Sequence, residues 1–337
     1  MTRIPVAYLP LTDALPLLAV QQLRLDRAHG FSLQLERMGS WAQLRDALLT
    51  GQVLAAQCLP GIPLMAQAGA YGEDASLASA FTLNHYGNAI SVDRRLFGED
   101  PAELGQRLRA LRDTASSRGR PLTMASVFPV SKHEFELRYW LRTYGLDPRR
   151  DLQLLVIPPP QMATALADGR IDGFCVGEPW NALAEAQGLG RIVASSRSLG
   201  LPGTEKVLAV QEYWLETSAH HALLASLDEA CIWLASPQHR RQAALWLSPL
   251  LNVPVAIADR ALGREGDADF MLFSGVNRPD PAHAAWLLDQ IQTQLDAPLA
   301  QPPEQLCRRA FRPDIYDAVI GRTTRATRFA MVQNAPE

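Results

Sequence analysis

Two twelve-residue segments, ALLTGQVLAAQC at 47–58 and ALADGRIDGFCV at 165–176, share one pattern. Each reads as a helix end, a glycine, a β-branched residue two positions later, and an apolar strand. A joint repeated so far apart in one chain points to two similar α/β lobes, not one long sheet. The first lobe's elements agree. Ile4 to Leu9 reads as a strand and Thr12 to about Ala28 as a helix capped near Thr12 or Asp13. Phe31 to Arg37 alternates as a half-buried strand does. Ser40 caps a helix through Leu49 that stops at Gly51, and Val53 to Leu59 is another strand. Beyond about residue 210 the texture turns helical, with apolar residues at helical spacing over Thr217 to Ala235, Gln238 to Trp246 and Pro281 to Leu295. Prolines near 249–254, 279–281 and 298–303 punctuate loops. Two α/β lobes imply a ligand cleft between them.

Composition narrows the function classes. At 337 residues, 47% apolar and 20% charged, the chain has the make-up of an ordinary globular protein. A formal net charge of −3 gives no basic footprint, so direct nucleic-acid binding is not expected. No apolar run is long enough to cross a membrane, and MTRIPVAYLPL reads as a first strand and not as a leader. A cytoplasmic protein is therefore expected. Cys58, Cys175, Cys231 and Cys307 form no CxxC pair, which disfavours structural zinc and a disulfide framework. Phosphate-binding glycine loops and common hydrolase and metalloprotease motifs are missing, so no enzyme and no cofactor are expected.

The best local constellation is FPVSKHEFELRYWL at 128–141. Ser131 with Glu134 makes a capping box after a strand from Leu122 to Phe128. Lys132 and His133 then occupy the helix's first turn, where free N–H groups and the dipole attract an anion. Read locally, His133 suits an anion contact or an idle exposed position equally. Leu137, Tyr139, Trp140 and Leu141 read as core. Trp41 follows the cap Ser40 and offers an indole donor, or plain apolar packing. Asn88, after Gly87, is a turn former or an amide at the start of a strand. Lys206 opens a strand, Lys206 to Val210, returning to the first lobe. His220-His221 reads as a solvated helix face. In GEPWN at 177–181, Glu178 and Pro179 suit the start of a helix from about Trp180.

The blocks PLTDALPL (10–17), SWAQLRDALLTGQV (40–53), GNAISV (87–92), HEFELRYWL (133–141), PPPQMATALADGRIDGFCVGEPWN (158–181) and GTEKVLAV (203–210) resemble the nitrate- and bicarbonate-binding proteins of the NrtA/CmpA type. The resemblance implies an α/β, two-lobed, C-shaped periplasmic-binding-protein fold of type II. Lobe I would comprise 1–86 and 206–337, with a helical C-terminal portion, and lobe II 87–205. The chain is most similar to the cytoplasmic nitrate/nitrite sensor branch, the NasS type. That implies control of an RNA-binding antiterminator partner of the NasT type. The alternatives are the substrate-binding component of a nitrate/nitrite ABC transporter and, less favoured, a thiamine-pyrimidine-synthase-like enzyme on the same fold.

Position by position, the resemblance implies that Trp41, Asn88, His133 and Lys206 hold nitrate or nitrite. Ser40, Gly87, Ser131, Lys132, Glu178 and Pro179 would support the cleft, with Glu178 bracing it by pairing with Lys206 or an arginine. Nitrate has no proton to donate, so a pocket of donors and positive charge suits it. Bicarbonate wants an acceptor, which its branch is implied to supply near the Lys206 position. Lys206 thus favours nitrate, while a one-residue slip to Glu205 reverses the preference. Asn88 is shorter than the glutamine some transport members use.

Overall fold

The computed structural model describes residues 1–72, 75–97, 101–263, 271–295, 299 and 301–321. Among the described residues, ten strands form two sheets: β1 (Thr2–Tyr8), β2 (Phe31–Arg37), β3 (Ala55–Cys58), β4 (Leu77–His85), β5 (Asn88–Asp93), β6 (Thr123–Ser126), β7 (Gln153–Val156), β8 (Gly173–Gly177), β9 (Gly190–Ser195) and β10 (Thr204–Gln211). Their orders are β2-β1-β3-β10-β4 and β7-β6-β8-β5-β9. Both sheets are wound alike. In each, three parallel strands are followed by an antiparallel one, β10 against β3 or β5 against β8. The two similar sequence segments deliver β3 and β8 to equivalent places, each entered after a glycine with positive φ, Gly51 or Gly169. The chain passes between sheets at 85–88 and returns at 195–204.

This winding puts one kind of sheet edge to use. The carboxyl ends of β1, β2, β3 and β6 lie at the same edges as the starts of β5 and β10, where doubly wound sheets hold ligands. One apolar cluster runs across both lobes there, from Leu44 and Ile62 to Val127 and Phe174. Phe135 of the second lobe meets Trp286 of the helix Pro281–Leu295 edge to face, 6.4 Å apart.

Several elements differ from the sequence reading. The expected helix from Thr12 is broken into a short turn at Thr12–Ala14, a helix Leu15–Gln22 and a turn at Leu25–Ala28, with Arg24 left-handed between the last two. Neither Thr12 nor Asp13 caps it: Leu11 holds the cap position, and Asp13 is drawn into a buried ion pair. At Ser131 the capping box is half made. The hydroxyl accepts from Glu134 N–H at 3.2 Å, but the Glu134 carboxylate goes to Ser126 and Arg138. Tyr139 is 44% exposed, whereas Leu137, Trp140 and Leu141 are buried. The helix expected over Gln238 to Trp246 runs as Arg240–Leu251 and contains Pro249. Pro298 lies outside the described residues.

His220 is also corrected. It is buried, not solvated, because the helix Ser218–Leu234 turns it against Trp214. Its Nδ1 lies 2.7 Å from the Leu215 carbonyl, and burial pushes its pKa down to about 4. A buried base held below its unfolded value stabilises the fold fully above pH 6.5 and loses that contribution as pH falls towards 4. His220→Gln should therefore flatten the acid limb, removing roughly 3 kcal/mol of the loss between pH 7 and 4. Urea unfolding of both proteins at the two pH values measures it.

Candidate functional site

The ends of the two sheets bring eight polar side chains together, each at most 1% exposed: Asp13, Trp41, Asn88, Lys132, His133, Glu136, Glu205 and Lys206. Asp13, Trp41, Glu205 and Lys206 come with the first sheet, and Asn88, Lys132, His133 and Glu136 with the second. Trp41 opens the helix Trp41–Leu49, fixed there because Ser40 accepts from Gln43 N–H at 3.2 Å. Lys132 and His133 open the helix Lys132–Thr143 through the Ser131 cap. Asn88 begins β5 directly after Gly87, whose φ is +100° and whose carbonyl accepts from Glu178 N–H at 2.9 Å.

Lys206 sits at the centre of the first lobe's contribution. Its ammonium is 3.0 Å from Asp13 Oδ2, 2.6 Å from Glu205 Oε1 and 5.4 Å from the Trp41 ring centroid. Burial opposes its charge, yet Asp13 and Glu205 more than offset this and hold its pKa above the usual lysine range. Asp13 is in turn fixed by the Gln57 amide, whose oxygen accepts from Leu9 N–H at 2.8 Å.

Glu205 joins the lobes. Its Oε2 accepts from Asn88 Nδ2 at 2.6 Å and lies 3.7 Å from Lys132 Nζ, while Oε1 stands 3.5 Å from His133 Nε2. Burial pushes its carboxyl up to about 7, against the pull of both lysines. Two adjacent strand residues ordinarily face opposite ways. Here the pairing of β10 with β4 slips around Glu205, so that Thr204 and Lys206 oppose the neighbouring His85 and Asn84. That bulge turns both Glu205 and Lys206 into one cluster.

On the second lobe, Lys132 Nζ is 3.0 Å from Glu136 Oε1, one helical turn on. The pair is close in charge but outside hydrogen-bonding geometry, so Lys132 keeps donors unused. Among the described residues of the cluster, Trp41 Nε1, Lys132 Nζ and both ring nitrogens of His133 make no hydrogen bond; a neutral imidazole carries one N–H, so three donors there lack an acceptor. Burial, with the two lysines, lowers the His133 pKa well below the usual range, so the imidazole is neutral at pH 7. Such donors are costly to bury unless something accepts from them.

Of the partners the resemblance implied for Glu178, Lys206 is not one. Lys206 pairs with Asp13 and Glu205, and Glu178 Oε2 accepts from Ala182 N–H at 3.0 Å, securing the helix Trp180–Ala186 behind the N-cap Pro179. Its carbonyl accepts from Thr12 N–H at 2.9 Å, a backbone bond between the lobes. The sequence reading missed Asp13 and Glu136 as members of the cluster and named Glu205 only as a slip from Lys206. The Lys132-x-x-x-Glu136 spacing was a legible signal for one of them. A separate cavity of about 550 Å³ behind the first sheet is lined mainly by apolar residues such as Leu15, Leu234 and Phe273 and contains none of these donors.

Comparison with known proteins places this geometry. Residues 1–248 match the NMT1-like family. The bicarbonate transport ATP-binding protein CmpC of Synechococcus elongatus is 32% identical over 326 residues, covering 93% of this chain and 48% of that protein. The chain thus spans about half the length of such relatives. The nitrate/nitrite binding protein NrtA of the same organism is 28% identical over 337 residues, covering 93% of this chain and 76% of NrtA. The crystal structure of the periplasmic nitrate-binding protein NrtA from Synechocystis PCC 6803 superposes with a TM-score of 0.84 at 22% identity, covering 96% and 89% of the two chains. An alkanesulfonate-binding protein, SsuA of Xanthomonas axonopodis, matches with a TM-score of 0.64 at 19% identity, over 88% and 92%. The fold is the two-lobed one of these binding proteins, and the chain belongs to the NMT1-like family, among proteins of the NrtA/CmpA type.

Proposed function

We propose that this chain binds a small oxyanion of the nitrate/bicarbonate class between its lobes, as the substrate-binding part of an import system. The supporting observation is the set of buried donors without an acceptor, Trp41 Nε1, Lys132 Nζ and the His133 ring, contributed by both lobes. An anion accepting from both lobes favours the closed form and shifts the open–closed equilibrium towards it. The relatives are named as bicarbonate transport or nitrate import ATP-binding proteins and as nitrate/nitrite binding proteins. Those names favour import over control of an RNA-binding antiterminator partner, the reading the sequence put first; cytoplasmic placement belongs with that sensor reading. A binding role, not catalysis, also suits the buried thiols Cys58 and Cys175, which burial holds far above the range of a reactive thiolate. Glu205 and Lys206 both enter the cluster, so the sequence preference for nitrate over bicarbonate loses its basis.

Calorimetric titration with nitrate, nitrite and bicarbonate tests the proposal. Trp41→Phe keeps a ring beside Lys206 and deletes one donor. It should weaken binding of the preferred anion roughly tenfold or more, the value of a hydrogen bond to a charged group. Equal affinity in parent and variant would remove Trp41 from the site.

A further inference from the structure

We infer that the occupied site holds its oxyanion together with one proton, carried by Glu205. The inference rests on the binding reading above and adds the charge state of what is bound. Within the cluster, Lys132 and Lys206 supply two positive charges, Asp13, Glu136 and Glu205 three negative ones, and His133 none at pH 7. With all three carboxyls ionised, as at about pH 8, the balance is −1 before any ligand enters. A monoanion makes it −2 among side chains shut off from water, where uncompensated charge is strongly disfavoured. One proton restores the balance.

Geometry selects the carrier. Asp13 has Lys206 at 3.0 Å and the Gln57 amide, and Glu136 has Lys132 at 3.0 Å. Glu205 lies 2.6 Å from Lys206 but must share it with Asp13, and stands 3.7 Å from Lys132. Its Oε2 also shares one donor nitrogen with a second carboxylate. Asn88 Nδ2 is 2.6 Å from Glu205 Oε2 and 3.0 Å from Glu136 Oε2. Carboxylates gathered on one group in a dry site hold a proton between them. Among the described residues, the neighbouring titratable groups compete weakly. The Cys175 thiol is 3.9 Å from Glu136 Oε2, and the Cys58 thiol feels the charge of Lys206; both are held protonated by burial. Burial raises Asp13 as well; it too shares Lys206, but among the described residues no second carboxylate competes for its Gln57 donor. Beyond Lys132, His85 is pushed down to about 3 by burial and by His283, and stays neutral. The elevated position of Glu205, about 7, agrees with the assignment.

The balance is one proton taken from solvent per anion bound, with no covalent step. Nitrate titrated calorimetrically at about pH 8, in two buffers of different ionisation enthalpy, should show close to one proton taken up per nitrate. Affinity should fall about tenfold per pH unit between roughly pH 8 and 9. Glu205→Gln should bind nitrate without proton uptake and with a flat pH profile. Nitrate binding by the parent with no proton uptake would overturn the inference while leaving the oxyanion reading intact. Undiminished uptake in Glu205→Gln would move the proton to another group and overturn it too. If that variant does not fold, the parent measurement decides alone. No nitrate, nitrite or bicarbonate binding at any pH would remove the oxyanion reading and the inference together.

Discussion

Gly61→Ala is expected to weaken nitrate binding roughly 100-fold, about 2.7 kcal/mol, while both lobes stay folded. Gly61 opens the helix Gly61–Gln67 at the carboxyl end of β3. Opposite it, in the other lobe, lies the Val130 carbonyl of the loop that leads to Lys132. A Cβ built on Gly61 would overlap that carbonyl oxygen and lie 3.2 Å from its carbon. The obstacle is backbone, which cannot step aside as a side-chain tip does. Its φ is not positive, so alanine takes the same conformation without strain and suits a helix start better than glycine. The effect therefore falls on closure. Since the donors come from both lobes, a molecule held partly open loses affinity by the fraction of closed form it forfeits. Small-angle scattering with and without nitrate should show compaction in the parent and little in the variant. Parent-like affinity and compaction in Gly61→Ala would show that the interface yields at this point.

Lys206→Met is expected to destabilise the fold by about 3–5 kcal/mol, beyond any loss of binding. Read as a strand start, Lys206 stands where a lysine is ordinarily exposed. In the structure it is fully buried between Asp13 and Glu205, so methionine leaves two carboxylates in the dark without their shared cation. The sign with pH follows. In the variant both carboxyls sit above their unfolded values, so its deficit against the parent shrinks as pH falls through those raised values. Adding Asp13→Asn to Lys206→Met should recover part of the loss, because a neutral pair no longer needs the cation. Urea unfolding of the parent, single and double variants reads both effects. A single variant as stable as the parent at pH 7 would mean that water reaches the carboxylates.

Much of the fold was legible. The helix–glycine–strand joints at Gly51 and Gly169 announced two equivalent lobes, because a left-handed stop and an apolar run are local properties. The caps Ser40 and Ser131 located the helix starts that present Trp41, Lys132 and His133. Where the reading failed, a distant partner outweighed local preference. Asp13 had a cap's chemistry but found Lys206, Glu134 turned from its capping box to Ser126 and Arg138, and His220 was buried against Trp214.

By itself the sequence determined the two-lobed α/β plan and put Trp41, Asn88, His133 and Lys206 at the starts of helices and strands. Propensity, caps and periodicity act within a few residues, and those positions depend on nothing else. Only the tertiary structure decided that these donors share their cluster with Asp13, Glu136 and Glu205. A bulge at Glu205, and the approach of one lobe to the other, set which charges meet out of water. That meeting fixes the charge balance, and no local pattern carries it.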